Sequence, residues 1–173
     1  MNLCIKKEIC DFLLSEIEAE ETEVTEISIT YEWAGKLVLS CASLMPADNM
    51  GGFRKEVIEQ LRIAAPSVVR FPGGCFVSFY DWESTIGDRD KREPQTSFYW
   101  GGLEENDLGL EEFLEMSKLV GFEPQLCFNM MSSEPFNARQ LVEYLNAPED
   151  VGMGRLRMLN GHKEPYGVKL FEM

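Results

Sequence analysis

Two residue types in this chain could supply a nucleophile-and-base pair, Cys75 and the single histidine, His162. A thiolate nucleophile needs a histidine or another cation beside it to lower its pKa. Nothing in the spacing of Cys75 and His162 brings them together, and a packed or ligand-contacting Cys75 is the alternative. Carboxylate chemistry is the second option. Glu172 ends an apolar stretch, where a carboxylate could do acid–base work or simply face inward. Asp88 and Asp90 alternate with Arg89, Lys91 and Arg92, a pattern that makes no metal site. The third option is recognition of a sugar. Tyr80, Trp82, Phe98, Tyr99 and Trp100 crowd one segment with Asp81, Glu83, Asp88, Arg89, Asp90, Lys91 and Arg92. Aromatic faces can stack on a sugar ring while charged groups bond its hydroxyls; the alternative is a small satellite core under a long loop.

Apart from His162 and Glu172, these residues sit in or near RFPGGCFVSFYDWESTIGDRDKREP, residues 70–94. The segment begins as a short strand and breaks at Pro72-Gly73-Gly74. It lacks the Gly-Lys-Ser/Thr ending of a phosphate loop and the spacing of a dinucleotide fingerprint. The glycines mark either a tight strand exit or a backbone brought close to a ligand.

The elements that must position them follow a βα rhythm. A helix is expected from residue 48 or 49, capped by Asp48 or Asn49, with Phe53, Val57, Leu61 and Ala64 inward and Pro66 ending it. Residues 68–71 read as a buried strand. A loop over 72–106 follows, long enough to suggest function. A helix over 110–120 carries Leu110, Phe113, Leu114 and Ser117, with Asp107 as cap and Gly121 as stop. Then come a strand over 124–129, a helix over 135–145 with Phe136, Leu141, Val142 and Leu145 inward, and a strand over 168–173. This order predicts an α/β fold with a parallel sheet and a site at the carboxyl ends of the strands. Upstream, residues 6–20 place Ile9, Phe12, Leu13 and Ile17 on one helical face, and 27–31 with 36–41 suggest a hairpin.

Composition narrows the partners. A net charge of −14 argues against nucleic acid and against an anionic membrane. Five cysteines, an odd number without CxxC spacing, read as free thiols in a reducing compartment. Residues 1–20 show no signal-peptide pattern and no apolar run is long enough to span a membrane, so a cytoplasmic location is expected.

Several motifs together resemble the α-L-arabinofuranosidases of glycoside hydrolase family 51. They are Ser43-Leu44-Met45-Pro46-Ala47-Asp48-Asn49 with Gly52-Phe53-Arg54, Arg70-Phe71-Pro72-Gly73-Gly74-Cys75-Phe76-Val77, Tyr80-Asp81-Trp82 and Ile86-Gly87-Asp88-Arg89-Asp90-Lys91-Arg92. Leu108-Gly109-Leu110-Glu111-Glu112-Phe113, Gly121-Phe122-Glu123-Pro124, Val142-Glu143-Tyr144-Leu145-Asn146, Asn160-Gly161-His162-Lys163-Glu164-Pro165-Tyr166 and Val168-Lys169-Leu170-Phe171-Glu172-Met173 continue it in order. Phe79 and Met130-Met131 depart from the family's small residues.

The resemblance implies part of a (β/α)8 TIM barrel over residues 43–173, with barrel strands two to four at 68–71, 124–129 and 168–173. Residues 1–42, the helix and hairpin segment, lie outside it. It implies release of terminal arabinofuranosyl groups from arabinan or arabinoxylan with retention, by two glutamates about 5 Å apart, without metal or organic cofactor. It places Arg70, Cys75, Trp82, Trp100 and Asn129 on the substrate side. The family's acid/base follows the fourth strand in an Asn-Glu pair and its nucleophile lies further on. No catalytic residue is therefore expected within these 173 residues, and open barrel edges are expected to promote self-association. A non-catalytic carbohydrate-binding module is the alternative.

Overall fold

Two helix ends set the pitch of the α/β layers. α1 (Lys55–Ala64) stops at Ala65, which adopts a left-handed conformation with φ 46°. α2 (Leu110–Val120) stops at Gly121, with φ 96°, as a C′ glycine does. Each turn feeds a parallel strand. The computed structural model describes residues 2–4, 28–30 and 45–173. They form two units, 1–47 and 48–173.

In the first unit, β1 (Asn2–Cys4) pairs in parallel with β2 (Ser28–Thr30). β2 falls within the first arm expected for a hairpin, but this partner is β1. The second arm, 36–41, and the helix expected over 6–20 lie outside the described residues.

In the second unit, β3 (Val68–Phe71), β6 (Glu123–Cys127) and β7 (Leu170–Glu172) form a parallel sheet in that order. Between β3 and β6 lie a long loop with a small hairpin, β4 (Gln95–Thr96) and β5 (Leu103–Glu104), and then α2. Between β6 and β7 lie α3 (Pro135–Asn146) and α4 (Gly152–Leu159). The fold is α/β. Val69, Phe71, Leu126, Phe128 and Phe171 turn toward the core of Phe113, Leu114, Leu141 and Leu145. The alternate residues point the other way, as the pleat requires. Val68 on that second face is 46% exposed, so β3 is covered on one side rather than buried as expected.

Three other expectations are corrected. α1 begins at Lys55, not at 48 or 49, because Asn49 Oδ1 accepts from Gly52 N at 3.0 Å in a turn through two positive-φ glycines, Gly51 and Gly52. Its buried residue is Ile58, and Val57 faces out. Phe136, expected inward on α3, is exposed, and Tyr144 takes the core place. The N-cap of α2 is Gly109 rather than Asp107, and Glu112 Oε2 accepts from its N–H at 2.9 Å. A Cβ at Gly109 would lie 2.0 Å from the Thr85 carbonyl oxygen, so only glycine fits.

α4 carries Arg157, fully buried. Its guanidinium donates to the carbonyls of Tyr144 (2.7 Å), Ala147 (2.8 Å), His162 (3.1 Å) and Lys163 (3.2 Å). Two of these lie at the C-terminal end of α3, where carbonyls lack helical partners and a cation is favoured.

The long loop is folded rather than loose. Short 3₁₀ turns at Gly74–Phe79, Trp82–Thr85 and Arg89–Lys91 precede the hairpin. Arg92 ties them to α2. It donates to both Glu112 carboxylate oxygens (2.8 and 2.9 Å), to the Asn106 carbonyl (2.9 Å) and to the Gly87 carbonyl (2.8 Å). Burial by itself raises the Glu112 pKa. The Arg92 hydrogen bonds and charge, with the Gly109 N–H, outweigh it and hold the carboxyl below the usual glutamate range.

Removing one partner of a buried pair strands the other, so Arg92→Ala is expected to cost ~3–5 kcal/mol in chemical denaturation. Because the folded Glu112 pKa is depressed, its contribution is full above the ordinary glutamate pKa and fades as pH falls through the folded value. The expected result for Glu112→Gln is a flatter acid limb in the stability–pH curve, measured by urea melts across that range.

Candidate functional site

The parallel register puts Arg70 beside Gln125, and Cys127 beside Glu172. All four lie on the sheet face turned away from the helices, near the carboxyl ends of the strands. Arg70 Nη1 donates to Glu172 Oε1 at 2.9 Å. Gln125 Nε2 donates to Glu172 Oε2 at 3.2 Å, and Cys127 Sγ lies 3.8 Å from the same oxygen. Three strands thus converge on one carboxylate. The Arg70–Glu172 pair is only half-buried, so it organises the surface more than it stabilises the fold. Burial raises the Cys127 thiol pKa, and the Glu172 charge raises it further against the opposing effect of Arg70.

The glycine break after β3 runs close to Arg70. A Cβ on Gly73 would stand 3.2 Å from Arg70 Nη2 and 3.3 Å from Nε. A side chain there would press on the guanidinium, which would have to shift by a few tenths of an ångström to make room. Gly74, at φ 60°, then turns the backbone into the 3₁₀ segment that carries Cys75 on the surface.

Among the residues expected on the substrate side, Arg70 joins the polar cluster, and Cys75, in the 3₁₀ segment after β3, is exposed. Asn129 follows β6 and is held in a turn. Its Nδ2 donates to the Tyr80 carbonyl (3.2 Å) and Ser132 Oγ (2.8 Å), and its Oδ1 accepts from Met131 N and Ser132 N. Ser132 Oγ donates onward to the Ser78 carbonyl at 2.8 Å. These bonds tie the segment after β6 to the 3₁₀ turn after β3.

Trp82 is a correction. It is 3% exposed, its Nε1 donates to Asn137 Oδ1 at 3.1 Å, and its ring packs 5.4 Å from Tyr144. A side chain committed in this way has no free face for a sugar. Tyr80 is likewise in the core, its hydroxyl bonded to Thr85 Oγ1 at 2.8 Å, and burial holds its pKa far above the usual phenol value. The aromatic set therefore divides. Tyr80 and Trp82 are core, while Phe98, Tyr99 and Trp100 are exposed on the β4–β5 hairpin, with Phe79 against Phe98 and Tyr99.

The charged run divides too. Arg92 is structural, Asp88 pairs with Lys91 at 2.8 Å, and Asp81 Oδ1 accepts from Glu83 N to cap a turn. His162 follows α4, where its ring lies against Tyr166. Tyr166 lines a shallow cavity with Glu123 and Pro124 at the amino end of the sheet. Cys75 follows the carboxyl end of β3, so topology separates the two and offers no Cys–His pair. Among the described residues no three or more His, Cys, Asp or Glu groups converge on a metal position, and no helix is long and apolar enough to cross a membrane.

Gln125 and Cys127 were not among the expected site residues, and Glu172 was left between acid–base work and an inward-facing strand end. The signal for Gln125 was a polar residue inside an otherwise apolar strand, and Glu172 was ambiguous until Arg70 stood opposite it. The exposure contrast is measurable. Iodoacetamide at neutral pH is expected to label Cys75 well before Cys127, as followed by peptide mapping, and equal rates would contradict the burial of Cys127.

The family model described as alpha-L-arabinofuranosidase 1 domain matches residues 60–173. Alpha-L-arabinofuranosidase C of Emericella nidulans is 38% identical over 128 residues, 74% of this chain and 25% of that protein. The intracellular exo-alpha-(1->5)-L-arabinofuranosidase of Halalkalibacterium halodurans is 37% identical over 124 residues, 72% of this chain and 25% of that one. This chain thus spans about a quarter of the length of the curated relatives it matches. Among solved structures, the GH51 alpha-L-arabinofuranosidase of Thermotoga petrophila aligns with TM-score 0.71 at 36% identity, covering 75% of this chain and 27% of its own. The arabinose complex of the Thermotoga maritima enzyme aligns with TM-score 0.70 at 36% identity, covering 74% and 27%. Because the family model covers residues 60–173, more than half of the chain, and the solved GH51 enzymes share its fold, the chain belongs to the α-L-arabinofuranosidases of glycoside hydrolase family 51.

Proposed function

We propose that this chain supplies the sugar-side wall of a retaining α-L-arabinofuranosidase. In this reading β3, β6 and β7 are the second, third and fourth strands of a (β/α)8 barrel. Residues 43–173 are the barrel segment and 1–42 precede it. The substrate is a terminal arabinofuranosyl group on an arabinose-containing oligosaccharide or polysaccharide, and no cofactor takes part. The observation that carries the reading is the convergence of Arg70, Gln125 and Cys127 on Glu172 at the carboxyl ends of parallel strands, where α/β enzymes place their sites. Arg70, Cys75 and Asn129 line that end, and Trp100 offers an exposed ring from the hairpin. Trp82 supports the wall from behind. The name of the Halalkalibacterium relative supports a cytoplasmic location.

Retention needs an acid/base and a nucleophile about 5 Å apart. Glu172 is already held by Arg70 and Gln125, and the proposal assigns neither role to it. The expected result with p-nitrophenyl α-L-arabinofuranoside is no turnover by the 173-residue chain. Robust turnover would show that the catalytic carboxylates lie within it.

The exposed hairpin aromatics favour one competing reading, a binding module that needs the hairpin alone. Tryptophan fluorescence titrated with arabino-oligosaccharides separates them. The sugar-wall reading expects both Trp100→Ala and Arg70→Ala to weaken binding, the latter about tenfold or more for loss of a charge-assisted hydrogen bond. Binding indifferent to Arg70→Ala but abolished by Trp100→Ala favours the module.

Among the described residues, the outer edges of β3 and β7 have no strand partner, beside the exposed Val68 and Leu170. Concentration-dependent association of the chain is the expected outcome in light scattering, and a monodisperse monomer would count against it.

A further inference from the structure

β3 and β7 are separated by β6, so their axes stand roughly 9–10 Å apart at ordinary strand spacing. The Arg70–Glu172 pair must bridge that gap over β6. Gln125 lies in the same row as Arg70 and Leu170, beneath the bridge. It is not a passive filler there. Its amide reaches Glu172 Oε2 while Arg70 holds Oε1. Each oxygen is therefore addressed from a different strand, and two such contacts fix the plane of the carboxylate where one would leave it free to rotate. An apolar side chain at 125 would leave Glu172 to Arg70 and the weak, long contact of the Cys127 thiol, and a half-exposed ion pair orients its partners weakly.

We propose that Gln125 is a positioning residue that sets the orientation of the Glu172 carboxylate at the strand-end site. Its relevance to sugar binding rests on the function proposed above, but the contact can be tested without a sugar. When Gln125 is lost, the carboxylate turns wholly toward Arg70 and leaves the Cys127 thiol. Cys127 is the built-in reporter, since Glu172 from β7 and Arg70 from β3 are the charged groups that act on it.

The experiment is a double-mutant cycle on the 173-residue chain labelled with ¹³C-cysteine, following the Cys127 Cβ resonance against pH. Gln125→Leu is expected to lower the Cys127 titration midpoint by about half a pH unit, roughly a threefold change in thiolate population below the midpoint. In a Glu172→Gln background the same substitution is expected to leave the midpoint unchanged. No fall in the first background, or an equal shift in both, overturns the proposal. If the leucine variant does not fold by thermal melting, Gln125→Met serves the same cycle. A parallel titration with L-arabinose judges the sugar reading separately. Coupling with no arabinose binding by the unmutated chain leaves Gln125 its role and removes the sugar, whereas arabinose binding without coupling does the reverse.

Discussion

The buried ion pair between Arg92 and Glu112 holds in place the longest irregular segment among the described residues. Arg92 alone spans from the carbonyls of Gly87 and Asn106 to the first turn of α2. Glu112 does two jobs with one carboxylate, since the oxygen that takes Arg92 Nη1 also caps α2 at Gly109. Such a pair is costly to desolvate, and it succeeds because nearly every polar atom around it is used. The exception is Arg92 Nε, which is buried without a protein partner. Through this node more than thirty loop residues acquire a defined path, and the hairpin that shows Trp100 to solvent starts from it.

A second polar node works in parallel. Glu111 accepts from Gly87 N at 2.8 Å and from the Tyr144 hydroxyl, which in turn accepts from Asn160 Nδ2 at 3.0 Å. Burial and the adjacent Glu111 push the Tyr144 pKa far up, so this hydroxyl remains a donor. With Arg157 closing the end of α3, the helices on the covered side of the sheet are joined by hydrogen bonds as well as by packing. The other face is left for Arg70, Gln125, Cys127 and Glu172. The division of labour is clean: buried polar nodes position the elements, and the elements position a polar row that runs from the exposed Arg70 to the buried Cys127.

Much of this was legible beforehand. β3, α2, α3 and the parallel βα order follow from apolar periodicity, from Gly121 and from the proline at the start of α3, which are local signals. α4 was missed because its sequence, with two glycines in Gly152-Met153-Gly154, has weak helical character. It forms because Gly154 fits against the Pro148 carbonyl, where a Cβ would lie at 2.1 Å, and because Arg157 finds four carbonyls. Those are tertiary reasons. The start of α1 was misplaced because Asn49 can cap a helix or close a turn, and the glycines after it chose the turn.

The site followed the same rule. The linear sequence determined that a strand would end at a glycine break, that aromatics and charges would crowd the loop after it, and which family's motifs the chain carries. These depend on residue type and short spacing. The tertiary structure decided which aromatics are core and which are exposed, since Trp82 and Trp100 are equally aromatic on paper and differ only in what packs over them. It also decided that Arg70, Gln125, Cys127 and Glu172 meet. Strand register set that meeting, because bringing residues more than a hundred positions apart within 3 Å is a property of pairing across a sheet and not of local sequence.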